Sequence, residues 1–160
     1  ELEVSDEVNV GGEPMVDLIV RTSSLAGVTV PAERMPSMID EIPVLAIAAA
    51  AAVGETRLAG LGELRVKESD RLAAVAGGLA ANGVDATVDG EALVIQGCAG
   101  PPPGGGTVHA PHDHRIAMAF AVLGMTARAP VKVNGTEAIA TSFPGFAGLF
   151  ANLGAKVTTA

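Results

Sequence analysis

The 160-residue sequence has no tryptophan, no tyrosine and only four phenylalanines. Proteins that hold single-stranded nucleic acid stack bases on aromatic side chains, and few are available here. Positive charge is scarce as well: ten Lys and Arg stand against eighteen Asp and Glu, a formal net charge of −8. That balance argues against binding along a phosphate backbone, so no nucleic-acid partner is expected. The single cysteine, Cys98, cannot build an internal disulfide framework; it suits a reducing cytoplasm and reads as a structural thiol rather than a nucleophile. The longest apolar run, Ile42 to Val53, is too short to span a bilayer and no signal peptide precedes it, so no membrane association is expected. The chain starts at Glu1 without an initiator methionine and reads as a piece of something longer. What remains is 49% hydrophobic and 18% charged, the composition of a folded domain able to bury a core.

Patterning predicts an α/β protein written as one unit twice. In residues 35–97 an Ala-rich helix covers Pro43 to Val53, followed by a short strand through Thr56–Leu58 that ends at Gly60. A second helix runs from Ser69 to Asn82, closed by Asn82-Gly83 as a left-handed C-cap. Val84–Val88 and Ala92–Ile95 form a hairpin across Asp89-Gly90. Residues 98–107, within "GCAGPPPGGGTV", are too rich in Pro and Gly for helix or strand and make a linker. In 108–160 the order recurs: a helix over Ile116–Met125 opened by His114-Arg115, a strand over Pro130–Val133, a helix over Ser142–Asn152 and a closing strand over Gly154–Thr158. Gly60 and Gly135 are 75 residues apart, and Gly83 and Gly154 are 71 apart. Such self-similarity implies stacked copies of a βαβαβ-type unit, helices packed inward and sheets outside. Residues 1–34, with strands near Asp17–Arg21 and Val28–Val30, read as the remnant of a preceding copy.

The same offsets place the charged residues. Asp40 corresponds to Arg115, and Arg71 to Ser142, so each falls at a helix entrance. In "ELRVKESDRLAAV" three cations, Arg65, Lys67 and Arg71, two of them interleaved with carboxylates, stand before an apolar helix. Arg71 and Arg115 occupy first turns, where the helix dipole opposes a cation by about 0.3–1 kcal/mol. A bound phosphate or carboxylate would reverse that sign; pairing of Arg71 with Asp70 or Glu68 is the plainer alternative. "HAPHDHR" offers His109, His112, Asp113 and His114 at a spacing that permits a metal, yet no second ligand cluster matches it, and none is expected. Asp113 reads as a helix cap and His114 as a proton carrier or hydrogen-bond donor toward a cleft. Asp40 and Glu68, at the mouths of successive helices, are the general acid–base candidates, with an N-cap as the equal alternative for Asp40.

Four segments, "PSMIDEIPVLAIAAAAAVGETRL", "LRVKESDRLAAVAGGLAANGVD", "HDHRIAMAFAVLG" and "IATSFPGF", resemble the 5-enolpyruvylshikimate-3-phosphate synthases. The likeness covers essentially the whole chain and about the C-terminal third of that two-domain family. It implies α/β architecture of βαβαββ-type units in an inside-out barrel, with substrates in the cleft where helix N-termini converge. It also implies a cytoplasmic transferase of aromatic amino acid biosynthesis, using phosphoenolpyruvate and shikimate 3-phosphate without metal or cofactor. By that resemblance Asp40 meets the shikimate hydroxyls and accepts a proton, and Lys67 faces the shikimate phosphate. Glu68 transfers a proton at the enolpyruvyl carbon. Arg71 and Arg115 grip phosphoenolpyruvate, with His114 beside it. Thr141 stands where many members carry lysine, as in the family's second, Ser/Thr-bearing class, which includes glyphosate-tolerant members.

The resemblance also implies that the family's other domain supplies half of the cleft wall, so this chain alone is expected to be inactive and to need the missing N-terminal part. Three other readings stay open. One is a transferase like those acting on UDP-N-acetylglucosamine. Another is an RNA 3′-phosphate cyclase on the same fold. The third, from a different class, is a non-catalytic folding domain with weak anion binding.

Overall fold

The computed structural model describes residues 1–158. Strand β1 (Leu2–Val4) pairs antiparallel with β4 (Leu18–Val20), and between them β2 (Val8–Val10) turns back on β3 (Glu13–Met15). This ribbon is exposed on both faces, Leu2, Val4, Val8, Val10, Leu18 and Val20 included. Strand β5 (Thr29–Val30) then joins the main sheet, parallel to β6 (Val53–Leu58). The sheet order is β5-β6-β8-β7, with β7 (Asp85–Asp89) and β8 (Ala92–Cys98) forming the expected hairpin.

Alternation decides which side of this sheet meets the helices. Thr56 and Leu58 on β6, and Leu93 and Ile95 on β8, are buried in register with one another. Their neighbours point outward and cross-link: Arg57 reaches Asp89 at 2.7 Å, and Gln96 donates to Glu55 at 2.8 Å. Period-2 patterning thus delivers one apolar and one solvated face.

Helices α1 (Ile42–Ala51) and α2 (Arg71–Ala81) pack on the apolar face, and α3 (His114–Thr126) packs against both helices. Small residues set the close approach: a methyl group on Gly78 of α2 would overlap the Phe120 ring of α3. The core runs from Met35 through Leu58, Leu61, Leu64, Leu72, Leu79 and Leu93 to Ile116, Phe120 and Leu123. Asn82 ends α2 as anticipated, with Gly83 at φ +75°. Its buried amide also donates to the Gly78 carbonyl and accepts from the Gly106 N–H, fastening the glycine loop to the helix. No helix among the described residues is long and apolar enough to cross a membrane.

Several elements differ from the sequence expectation. Helix α1 stops at Ala51 because Ala52 turns extended and Val53 enters the sheet. Both ends of the Pro/Gly segment are strand: Gly97 and Cys98 complete β8, and β9 (Thr107–His109) pairs parallel with β10 (Lys132–Asn134). The helix expected over Ser142–Asn152 is two pieces, α4 (Ile139–Ser142) and α5 (Phe146–Asn152). Pro144 causes the break, since it lacks an N–H and holds Phe143 out of helical backbone, at φ −144° and ψ 77°. Ser142 therefore closes a short helix instead of opening one. Residues 155–158 form no strand, for no neighbour among the described residues pairs with them.

Candidate active site

Three chain segments converge where α1, α2 and α3 begin. Asp40 lies in the 3-10 turn Ile39–Glu41 that leads into α1. Lys67, Glu68 and Ser69 follow a second 3-10 turn, Gly62–Val66, which anchors itself through buried Leu64. Asp70 then caps α2 by accepting the Ala73 N–H at 3.0 Å, and Asp113 caps α3 with Oδ1, accepting from the Arg115 and Ile116 N–H groups at 3.1 and 3.3 Å. Both caps supply what first-turn amides lack.

Arg71 is the centre of the cluster, although only 1% of its side chain is exposed. Its Nε donates to Asp113 Oδ2 at 2.9 Å, and Nη1 donates to Asp40 Oδ1 at 3.1 Å. Nη2 sits 2.6 Å from Glu68 Oε2, close enough to pair charge but off the line of a hydrogen bond, so this nitrogen is buried and unbonded. Arg115 donates from Nη1 to the Asp40 carbonyl at 3.1 Å, and its Nη2 lies 3.4 Å from Asp40 Oδ2. Asp40 and Arg115, matched by the 75-residue offset, are thus in contact. Lys67 pairs with Glu63, with Asp40 Oδ1 at 3.9 Å. Among the described residues, three cations face four carboxylates: Lys67, Arg71 and Arg115 against Asp40, Glu63, Glu68 and Asp113.

Protonation follows from this crowding. Burial by itself would push the Asp113 carboxyl up. Hydrogen bonds from Arg71, Ser69 and the Ile116 N–H outweigh burial and hold it below its ordinary 3.8. Lys67 is raised above its ordinary 10.5, chiefly by its hydrogen bond to Glu63, and stays charged.

Most sequence candidates meet here, but in a different chemical state from the one expected. Arg71 is not an unpaired cation waiting at a helix mouth: it is a buried hub whose partners lie 42, 31 and 3 residues away. The plainer pairing with Glu68 holds, joined by two carboxylates that sequence proximity does not suggest. His114 is half-buried at the start of α3. His109 lies 3.5 Å from Asn134 Nδ2, while His112 is exposed in left-handed backbone at φ +61°. No group of three or more metal-capable side chains occurs among the described residues. Thr141 turns its hydroxyl back to the Ala138 carbonyl at 2.8 Å. Asp113, read from sequence as a cap alone, and Ser69, which donates to Asp113 Oδ2 at 2.7 Å, are the site residues that sequence reasoning missed.

Against known families, the sequence model of EPSP synthase (3-phosphoshikimate 1-carboxyvinyltransferase) matches residues 3–149. The chain belongs to the EPSP synthase family. The 3-phosphoshikimate 1-carboxyvinyltransferase of Methylorubrum populi is 59% identical over 157 residues, which is 98% of this chain and 35% of that protein. Among solved structures, EPSP synthase from Acinetobacter baumannii superposes with a TM-score of 0.89 at 42% identity, covering 95% of this chain and 36% of the other. The enolpyruvyl transferase NikO from Streptomyces tendae, at 22% identity and a TM-score of 0.64, shares the fold. The chain spans about a third of the length of the curated relatives it matches.

Proposed function

We propose that this chain supplies one wall of the active site that transfers the enolpyruvyl group of phosphoenolpyruvate to the 5-hydroxyl of shikimate 3-phosphate, with release of phosphate. The observation that carries this reading is the convergence of Asp40, Lys67, Glu68, Arg71 and Arg115 at three adjoining helix starts. The reaction joins the hydroxyl oxygen to C2 of phosphoenolpyruvate while a proton is added to its methylene carbon. It then expels phosphate and returns a proton from that carbon. Asp40 takes the hydroxyl proton, and Glu68 delivers and recovers the proton at carbon, since both are partly exposed beside the cations. Arg71 and Arg115 hold the phosphate and carboxylate of phosphoenolpyruvate, Lys67 faces the shikimate phosphate, and His114 lies beside the first of these groups.

Because carboxylates outnumber cations here, an incoming anion must displace Asp40 or Glu68 from an arginine. That cost is offset only when the opposite wall contributes further cations, which we assign to the remaining two-thirds of the family's length. We further read 35–97 and 108–160 as copies of one unit after a remnant in 1–34. The positive φ shared by Gly60 and Gly135, and by Gly83 and Gly154, supports that reading. A cytoplasmic setting accords with Cys98, unpaired and half-buried in β8.

Grafting this chain in place of the equivalent third of the Acinetobacter baumannii EPSP synthase tests the proposal. Phosphate release from the two substrates is expected from the graft and not from the chain alone. A graft that folds and binds both substrates yet releases no phosphate would refute it.

A further inference from the structure

Helices α2 and α3 begin on either side of one buried carboxylate. Asp113 and Arg71 are each 1% exposed at the side chain. Capping α3 uses only Asp113 Oδ1, and Ser, Thr or Asn would serve that purpose as well. Oδ2 is spent elsewhere: it accepts from Ser69 Oγ at 2.7 Å and from Arg71 Nε at 2.9 Å. A buried charge is costly to keep, so a cap alone gives no reason for an aspartate at this position.

The geometry of Arg71 provides the reason. A guanidinium is planar, and fixing Nε together with one terminal nitrogen fixes the whole fork. With Nε held by Asp113, Nη1 and Nη2 are both turned toward Asp40 and Glu68, on the half-exposed side of the cluster. The unbonded, buried Nη2 lies on that side. We infer that Asp113 is a positioning residue: its Oδ2 sets the plane of Arg71 so that both terminal nitrogens face the incoming anion, while its Oδ1 caps α3. When the anion replaces Asp40 and Glu68 on the fork, Nε stays on Asp113. Asp113 touches no substrate and acts only through Arg71; Ser69 steadies the same oxygen. Which anion Arg71 grips rests on the transferase reading, whereas the clamp does not.

Asp113→Asn separates the two tasks, because the amide oxygen keeps the cap and the amide nitrogen cannot accept from Arg71 or Ser69. In the 160-residue chain, exchange of the Arg71 Nε–H with water is expected to quicken about tenfold or more. Protection of the Ile116 amide should stay within about twofold. In the graft, the KM for phosphoenolpyruvate is expected to rise about tenfold, with the KM for shikimate 3-phosphate little changed. Ser69→Ala, which leaves cap and charge intact, should move the same readouts in the same direction to a smaller degree, and it carries the test if the asparagine variant does not fold. Unchanged Arg71 Nε–H exchange in the variants overturns the inference. So does joint loss of Ile116 and Arg71 protection, which would make Asp113 a cap and nothing more, or a fall in kcat with the phosphoenolpyruvate KM unmoved. If the unsubstituted graft releases no phosphate while Arg71 exchange responds as described, the transferase reading fails and the clamp stands.

Discussion

Replacing Arg71 by methionine isolates its charge, since the unbranched side chain keeps most of the buried stem while the guanidinium is lost. The largest consequence falls on Asp113, which is as buried as Arg71 and would remain ionised at neutral pH without a cation. Stranding one member of a buried pair typically costs about 3–5 kcal/mol. Three hydrogen bonds to Asp113 survive, from Ser69 and from the Arg115 and Ile116 N–H groups, which places the expected loss near the lower end, about 3 kcal/mol. Asp40 and Glu68 are 39% and 47% exposed at the side chain, so water takes over their solvation and they add little. The effect has a definite pH signature. In the unsubstituted chain the Asp113 carboxyl lies below its ordinary 3.8, so its stabilisation is complete above that value and is lost as pH falls through the depressed one. In Arg71→Met the same carboxyl is pushed up by burial, and protonation relieves the penalty as pH falls. The two urea midpoints, measured with constant slope, should therefore lie far apart at neutral pH and converge in acid. A difference under about 1 kcal/mol at neutral pH, or one that does not narrow toward about pH 3, would refute the reasoning.

Gly78→Ala and Gly77→Ala on α2 should have opposite signs. The first forces a methyl into the Phe120 ring and should destabilise by about 1–2 kcal/mol after the gain in helix propensity. Gly77 meets nothing within 4 Å and its substitution should stabilise by about 0.5–1 kcal/mol; equal signs in urea unfolding would contradict the packing described. Glu68→Gln in the graft should lower kcat about a hundredfold or more with a smaller change in KM, whereas an unchanged kcat would leave Glu68 as nothing beyond a partner of Arg71. Inorganic phosphate should bind the chain no better than about millimolar and tighter in Asp40→Asn, with amide shifts at 67–72 and 114–117. Equal affinity in the two proteins would mean that Asp40 does not compete with anions.

Features that depend on residues within about four positions of one another were legible from the sequence. Asp113 as a cap, Asn82-Gly83 as a helix stop and the Asp89-Gly90 hairpin all follow from which local backbone groups lack partners. Ordered motifs such as "KESDR" and "HDHR" also carried the family. Pro144 is an equally local signal: it splits into two the helix that the apolar pattern over 142–152 suggests as one. Tertiary structure alone decided the state of the site. A helix dipole says that Arg71 is unfavourable in a first turn, but not which charges the folded chain will bring to it. Asp40 and Asp113 reach it only because α1, α2 and α3 start side by side, bridging separations of 31 and 42 residues. The parallel pairing of β9 with β10 across α3 is non-local in the same way. Local hydrogen bonding is written in neighbouring residues, whereas the burial and pairing of a charge are set by whichever distant segments share its low-dielectric space.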